Sequence, residues 1–119
     1  MWIGRSNAGL RSMSSRYDYI IIDSAPTLNL INAAIMYASS YLVLPVQLDE
    51  FSRLGLIQTI NEIHGLESEF DFEANIRVLL NKFDPRESAS LAYLNSLATT
   101  HRSLIFNSTL RYSPAITLA

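Results

Sequence analysis

Four short apolar runs, separated by stretches with helical spacing, set the pattern of this chain. The runs are residues 19–22, 41–44, 76–81 and 104–106. The first reads YIII without alternation, which is typical of a parallel strand covered on both faces. The predicted helices are residues 28–38, 50–67 and 87–100. Strands that alternate with helices predict βαβ units, and therefore an α/β fold with a doubly wound, mostly parallel sheet and flanking helices.

The helix predicted over residues 50–67 has one apolar face. Its spacing includes Leu56, Ile60 and Ile63 and continues to His64, so His64 is expected to be a structural histidine on that face. His101, near the end of the next helix, is interpreted in the same way. Asp49 and Glu50 are interpreted as the start of this helix, where negative charge is favoured, and a role in a site is the alternative.

An acidic run follows this helix. Its members are Glu67, Glu69, Asp71 and Glu73. The simplest interpretation is a solvated helix end and loop, with metal binding as the alternative.

Composition indicates one folded, non-secreted unit. The chain has 119 residues, 49% of them hydrophobic and 17% charged, which excludes a disordered segment and predicts a single domain. Nine basic against eleven acidic residues give no global positive field for nucleic acid. The absence of cysteine excludes a disulfide framework and a thiolate nucleophile, and a cytoplasmic protein fits best. No stretch approaches the roughly 20 apolar residues of a membrane span.

A carboxylate directly follows the first apolar run. In doubly wound sheets, ligands sit beyond the carboxyl ends of the strands, which is where Asp23 is expected. A carboxylate there can hold Mg²⁺, usually through water, or orient an attacking water molecule. The alternative is that Asp23 only accepts hydrogen bonds at the start of the next helix.

Residues 81–84 read NKFD at the end of the third predicted strand. Asn81 can pair with a base edge, Lys82 can lay its stem over the base, and Asp84 can accept from guanine N–H groups. This is the N-K-x-D pattern by which GTPases read guanine, with an ordinary turn as the alternative. Against a GTPase, Pro26 stands where such an enzyme needs a glycine amide for the γ-phosphate, and proline has no N–H.

The chain has no glycine-rich phosphate loop. Such a loop, G-x-x-x-x-G-K-[ST], converges backbone N–H groups on the anion. None of Gly4, Gly9, Gly55 and Gly65 precedes a lysine, and Lys82 is the single lysine. We therefore expect no tight binding of a nucleoside triphosphate by this chain alone.

Four segments resemble one protein family. Residues 17–28, YDYIIIDSAPTL, resemble the YDYIIIDxPPxL segment of the ParA/MinD/Soj ATPases, the deviant Walker A group that partitions plasmids and chromosomes. The other similar segments are VLPVQ at 43–47 with Gly55 and Leu56, VLLNKFDPR at 78–86, and TLRYS at 109–113. The resemblance implies an incomplete P-loop NTPase fold in a single domain, residues 1–119, whose residues 1–16 form an N-terminal helix or loop and whose residues 17–119 form the ParA-like region.

The resemblance also implies roles for individual residues. Asp23 would be the Walker B-type aspartate, catalytic and acting on Mg²⁺ or water. The switch that senses the γ-phosphate would comprise Ser24, Ala25, Pro26 and Thr27. The residues around the nucleotide would be Asn81, Lys82 and Arg86. Arg111 would lie on a DNA-binding surface.

In this family, ATP and Mg²⁺ are the cofactors, ATP binding drives homodimerisation, the dimer binds DNA without sequence preference, and a ParB-like centromere-binding protein stimulates hydrolysis. The resemblance thus implies a cytoplasmic, nucleoid-associated ATPase. Because the phosphate loop is missing, we expect the middle and C-terminal part of such an ATPase, inactive alone. A non-catalytic α/β binding or structural domain of the same origin is the alternative, and a GTPase-like protein is disfavoured.

Overall fold

A parallel three-stranded sheet flanked by helices organises the chain. The computed structural model describes residues 9–25 and 29–118. The strands are β1 (Leu42–Val46), β2 (Ile76–Phe83) and β3 (Ile105–Arg111), in the order β1-β2-β3. The helices are α1 (Leu30–Ala38), α2 (Glu50–Phe70), α3 (Ser88–His101) and α4 (Pro114–Leu118). Residues 9–14 are also helical, and a 3₁₀ turn (Arg102–Leu104) connects α3 to β3. The α/β fold class is therefore confirmed.

The predicted strand over residues 19–22 is wrong. Residues 17–25, all within the described part of the chain, form neither helix nor strand, and the side chains of Tyr19 and Ile21 are 88% and 93% exposed. An unbroken apolar run favours a buried strand only where neighbouring strands supply its backbone hydrogen bonds and cover both faces. The described strands instead pair with one another, so Asp23 does not follow a strand.

Strand β1 extends beyond the predicted apolar run 41–44 and contains a proline. Pro45 lies inside β1, with Val46 after it. Because β1 is at the edge of the three described strands, the missing N–H of Pro45 removes no ladder hydrogen bond from the sheet interior.

The contacts of the chain divide into two compact units. One contains the described residues up to Leu42 together with Glu62–Asn75, and the other contains Val43–Asn61 and residues 76–118. The single-domain interpretation therefore stays a prediction.

The second unit holds the core of the sheet. Val78 and Leu80 alternate with half-buried residues along β2, so one face of this strand is fully covered. The buried cluster comprises Val46, Leu48, Leu56, Ile60, Val78, Leu80 and Leu97. Burial of this cluster fixes β2 and thereby its carboxyl end.

In the first unit, α1 begins at a side-chain cap. Asn29 Oδ1 accepts a hydrogen bond from Asn32 N at 3.0 Å, which satisfies one of the free N–H groups of the first turn. Ala33 and Ala34 are buried, whereas Leu30 and Ile31 are each 53% exposed. Because Asn32, Ala33 and Ala34 are consecutive in the helix and all buried, the covered part of α1 spans more than one side.

The ends of α2 are closed by two aspartates. Asp49 Oδ1 accepts from Ser52 N at 2.8 Å, and its other oxygen accepts from the Ser52 hydroxyl. These hydrogen bonds lower the pKa of Asp49, the backbone one most strongly. At the other end, Asp71 has φ 52°, and Phe72 N donates to Glu67 O at 3.2 Å, the six-to-one bond of a Schellman motif. The interpretation of Asp49 as the start of the helix is thus confirmed.

His64 is exposed, not on the apolar face. Its Nδ1 lies 2.6 Å from Glu67 Oε2, and the other oxygen of Glu67 accepts from Ala74 N at 2.5 Å. Partial burial raises the pKa of Glu67, but the hydrogen bonds from His64 and Ala74 outweigh it, so the pKa lies below its ordinary value. Glu67 therefore ties the helix end to the loop before β2 and is not simply solvated, and His64 lies one position beyond the covered stripe.

Candidate functional site

The carboxyl ends of β2 and β3 lie side by side. Phe83 pairs with Arg111, and Tyr112 N donates to Phe83 O at 3.2 Å. Because the two strands are parallel, Asn81 and Lys82 share this edge with Arg111. The predicted base-contacting pair and the predicted DNA-contacting arginine therefore come from neighbouring strand ends.

Lys82 has an unusual backbone conformation for a strand residue. Its φ is 52°, in the left-handed region that non-glycine residues seldom adopt. The register between β2 and β3 shifts between Leu80 and Phe83, so Lys82 occupies an irregularity of the ladder. Asn81 Oδ1 accepts from Lys82 N at 2.9 Å, which gives this turned N–H a partner. The exposed Lys82 thus ends the regular part of the strand.

A tight turn follows β2. Glu87 N donates to Asp84 O at 3.2 Å across Pro85 and Arg86, and Asp-Pro at the first two positions is typical of a type I turn. Arg86 N donates to Asp84 Oδ1 at 3.0 Å, so the aspartate side chain also holds the turn.

The side chain of Arg86 closes on the same carboxylate. Arg86 Nε lies 2.9 Å from Asp84 Oδ1, and Nη2 lies 2.7 Å from Oδ2. The side-chain hydrogen bond and then the backbone hydrogen bond from Arg86 lower the pKa of Asp84 from 3.8 to about 2, and the same carboxylate raises the pKa of Arg86. The D-P-R spacing carries the turn signal that brings Asp84 and Arg86 together, although their predicted roles were separate.

The predicted site residues Asp23, Ser24 and Ala25 belong to the first unit. Asp23 and Ser24 are exposed in the irregular segment, and Ala25 O accepts from Asn32 Nδ2 at 2.8 Å. Pro26 and Thr27 lie outside the described residues. The described strands thus bring together Asn81, Lys82 and Arg111, with Arg86 in the adjoining turn, whereas Asp23 belongs to the first unit.

Basic residues of the second unit lie at both ends of the strands. Arg77 is near the start of β2, and Arg102 lies just before β3, whose Ile105 pairs with Val78. Lys82 and Arg111 are at the opposite, carboxyl ends. Positive charge on the parallel strands is therefore divided between two edges.

Within residues 9–25 and 29–118, no helix is both long enough and apolar enough to cross a membrane.

Comparison with known proteins identifies a matching family model and several relatives. A family model described as an AAA domain matches residues 6–77, more than half of the chain. The sporulation initiation inhibitor protein Soj of Bacillus subtilis is 28% identical over 86% of this chain and 41% of its own length. The chromosome partitioning protein ParA of Myxococcus xanthus is 33% identical over 69% of this chain and 29% of its own, and protein SopA of Escherichia coli K12 is 29% identical over 62% and 20%.

The chain spans less than half the length of these curated relatives. The family model spans the first two of the segments on which the resemblance to the partition ATPases was based. The chain therefore belongs to this AAA domain family, among the ParA/MinD-type partition ATPases.

Proposed function

We propose that this chain supplies the Mg²⁺-facing and base-facing parts of a ParA-type partition ATPase and does not hydrolyse ATP by itself. The observation that carries the proposal is the shared carboxyl edge of β2 and β3, where Asn81 and Lys82 lie beside Arg111. Ligands of open α/β sheets bind beyond this edge. Membership of the partition ATPase family supports a nucleotide as the ligand.

Asp23 is the proposed catalytic and Mg²⁺-binding carboxylate. Mg²⁺ in nucleotide sites is usually held by one or two carboxylates, with water and phosphate oxygens as the remaining ligands. The exposed carboxylate of Asp23 fits that donor set. Bound Mg²⁺ neutralises charge that develops on the transferred phosphoryl group. The proposed switch next to it comprises Ser24, Ala25, Pro26 and Thr27.

The nucleotide base is proposed to lie at the β2 end. Within residues 9–25 and 29–118, the Asn81 amide is engaged only at Oδ1, by Lys82 N, so its Nδ2 can donate to a ligand. The exposed Lys82 stem can cover the base, while Arg86 acts at this site through Asp84. Triphosphate binding would require a phosphate loop, which this chain does not contain.

Partition also requires partners. We propose that the complete ATPase dimerises with ATP, binds DNA non-specifically through a surface that includes Arg111, responds to a ParB-like centromere-binding protein, and works in the cytoplasm on the nucleoid. The name of the chromosome partitioning protein ParA of Myxococcus xanthus supports a role in partition.

Calorimetry with Mg-ATP tests the nucleotide part of the proposal. We expect this chain to bind Mg-ATP no more tightly than about millimolar, because a missing phosphate loop removes most charge-assisted contacts. Submicromolar binding would contradict this expectation.

NMR with adenosine monophosphate tests the base-facing edge. The backbone amide signals of Asn81 and Lys82 should shift at millimolar ligand, and Asn81→Ala should weaken the effect. Asn95→Ala, an exposed asparagine on α3, is the matched control. Shifts confined to residues far from β2 would overturn the proposal.

Salt-dependent binding to non-specific duplex DNA tests Arg111. Arg111→Ala should reduce the slope of log K against log salt by about 1 if this side chain contacts one phosphate. Arg102→Ala, at the opposite ends of the strands, should leave the slope unchanged.

A further inference from the structure

One motif is not explained by the proposed function. Residues 81–84 carry the N-K-x-D pattern of guanine readers in a chain related to ATPases. Guanine differs from adenine by its N1–H and N2–H donors, so a carboxylate that reads guanine must offer free oxygens. The state of the Asp84 carboxylate therefore decides whether the motif can select guanine.

Both oxygens of Asp84 are already engaged. Oδ1 accepts from Arg86 N at 3.0 Å and from Arg86 Nε at 2.9 Å, and Oδ2 accepts from Nη2 at 2.7 Å and from Nε at 3.2 Å. A carboxylate has about four lone-pair sites, and these four contacts come from one residue. Both carboxylate oxygens are therefore engaged by Arg86, which competes with a guanine for them.

The hydrogen bonds between Arg86 and Asp84 form within the chain and need no ligand. Asp84 and Arg86 occupy the same four-residue turn, closed by the hydrogen bond from Glu87 N to Asp84 O. The backbone N–H of Arg86 pins the carboxylate while the fork-shaped guanidinium pairs with both oxygens, the geometry in which such pairs are strongest. The Asp84 carboxylate is therefore already hydrogen-bonded to Arg86 before a nucleotide binds.

Asn81 makes a contact that does not discriminate between purines. Its Nδ2 can donate to N7, an acceptor that adenine and guanine share. Among the described residues, Asn81 is engaged only through Oδ1.

We infer that Arg86 is the residue that removes guanine selectivity from this edge, by occupying the Asp84 carboxylate, so that the edge accepts a purine nucleotide without preferring guanine. The inference rests on the proposed function. Arg86 acts here as a positioning residue, because its effect passes through Asp84.

The test measures binding of adenosine and guanosine monophosphates by NMR titration to four forms of the chain. These are the wild type, Arg86→Ala, Arg86→Ala with Asp84→Asn, and the matched control Arg102→Ala. For the wild type and for the control, the Kd values of the two nucleotides should differ by no more than about threefold. Arg86→Ala should bind guanosine monophosphate about tenfold more tightly than the wild type does, which is the low end of the affinity gained from one bidentate base contact. Its affinity for adenosine monophosphate should be unchanged. The double variant should lose this gain.

Three results would overturn the inference. They are a wild-type preference for guanosine monophosphate of about tenfold, a folded Arg86→Ala variant without the gain, and a gain that persists in the double variant. Circular dichroism and a urea titration establish that each variant folds. If neither nucleotide shifts the NMR signals of Asn81 or Lys82 in any form of the chain, the base-facing part of the proposed function fails as well. If adenosine monophosphate binds but the ratio of the two affinities is the same in every form, only the inference about Arg86 fails.

Discussion

The guanidinium of Arg86 pairs with both oxygens of the Asp84 carboxylate, 2.9 Å from Nε to Oδ1 and 2.7 Å from Nη2 to Oδ2. The pair closes the turn between β2 and α3. Arg86 is 84% exposed and Asp84 only 15%, so the arginine covers the aspartate from the solvent side.

This pair predicts an acid-sensitive turn. A carboxylate whose pKa is lower in the folded chain contributes stability that is present above its unfolded value, 3.8 for Asp84, and is lost as pH falls through about 2. In Arg86→Ala, this part of the acid sensitivity should disappear, because the pKa of Asp84 returns toward 3.8. A carbon-13 NMR titration of the Asp84 carboxyl in both forms measures it, with Arg102→Ala as control. A wild-type carboxyl that titrates near 3.8 would contradict the pairing.

The buried side of α3 should dominate its contribution to stability. Leu97 is 2% exposed and belongs to the buried cluster of the second unit, whereas Leu91 on the same helix is 42% exposed. Leu97→Ala should lower the free energy of unfolding by about 2–5 kcal/mol through lost burial and the cavity left behind. Leu91→Ala is the matched control and should cost clearly less. Urea unfolding at neutral pH measures both, and equal losses would show that α3 does not pack as described.

The cap of α2 depends on the Asp49 side chain. Asp49→Ala removes the acceptor of Ser52 N, and we expect it to lower the free energy of unfolding by about 1 kcal/mol. Asp49→Asn should keep most of the stability, because an amide oxygen also caps. Thermal unfolding followed by circular dichroism compares the two variants. A loss of the same size in Asp49→Asn would mean that the charge, not the hydrogen bond, is what matters.

The end of α2 should gain stability from glycine. Asp71 holds φ 52° at the position after the helix, where glycine is the usual residue. Asp71→Gly should raise the free energy of unfolding by up to about 1 kcal/mol, since it relieves a left-handed conformation at the cost of a more flexible unfolded chain. Asp71→Ala does not relieve the left-handed conformation and should not raise the free energy of unfolding. Differential scanning calorimetry of the three forms tests this, and an equal gain from alanine would rule out backbone strain as the cause.

Much of the local structure follows from the order of residues alone. The helical spacing predicted α2 and α3 with their starts within one residue, and the apolar run predicted β2 from Ile76. Turn and cap chemistry was equally local, because Asp49 is followed by a helix whose first N–H groups need an acceptor. Family membership was also predicted from four short segments, before any relative was compared.

The arrangement of the strands was decided by the tertiary structure. Residues 19–22 have the pattern of a buried strand, yet a strand forms only when a neighbour supplies hydrogen bonds, and the described sheet is completed without them. Arg111 is adjacent to the β2 end because of the register between two strands that lie far apart in sequence. The order of residues thus determined what each segment prefers, through contacts within a few positions, whereas long-range pairing determined which side chains meet at the carboxyl edge of the sheet.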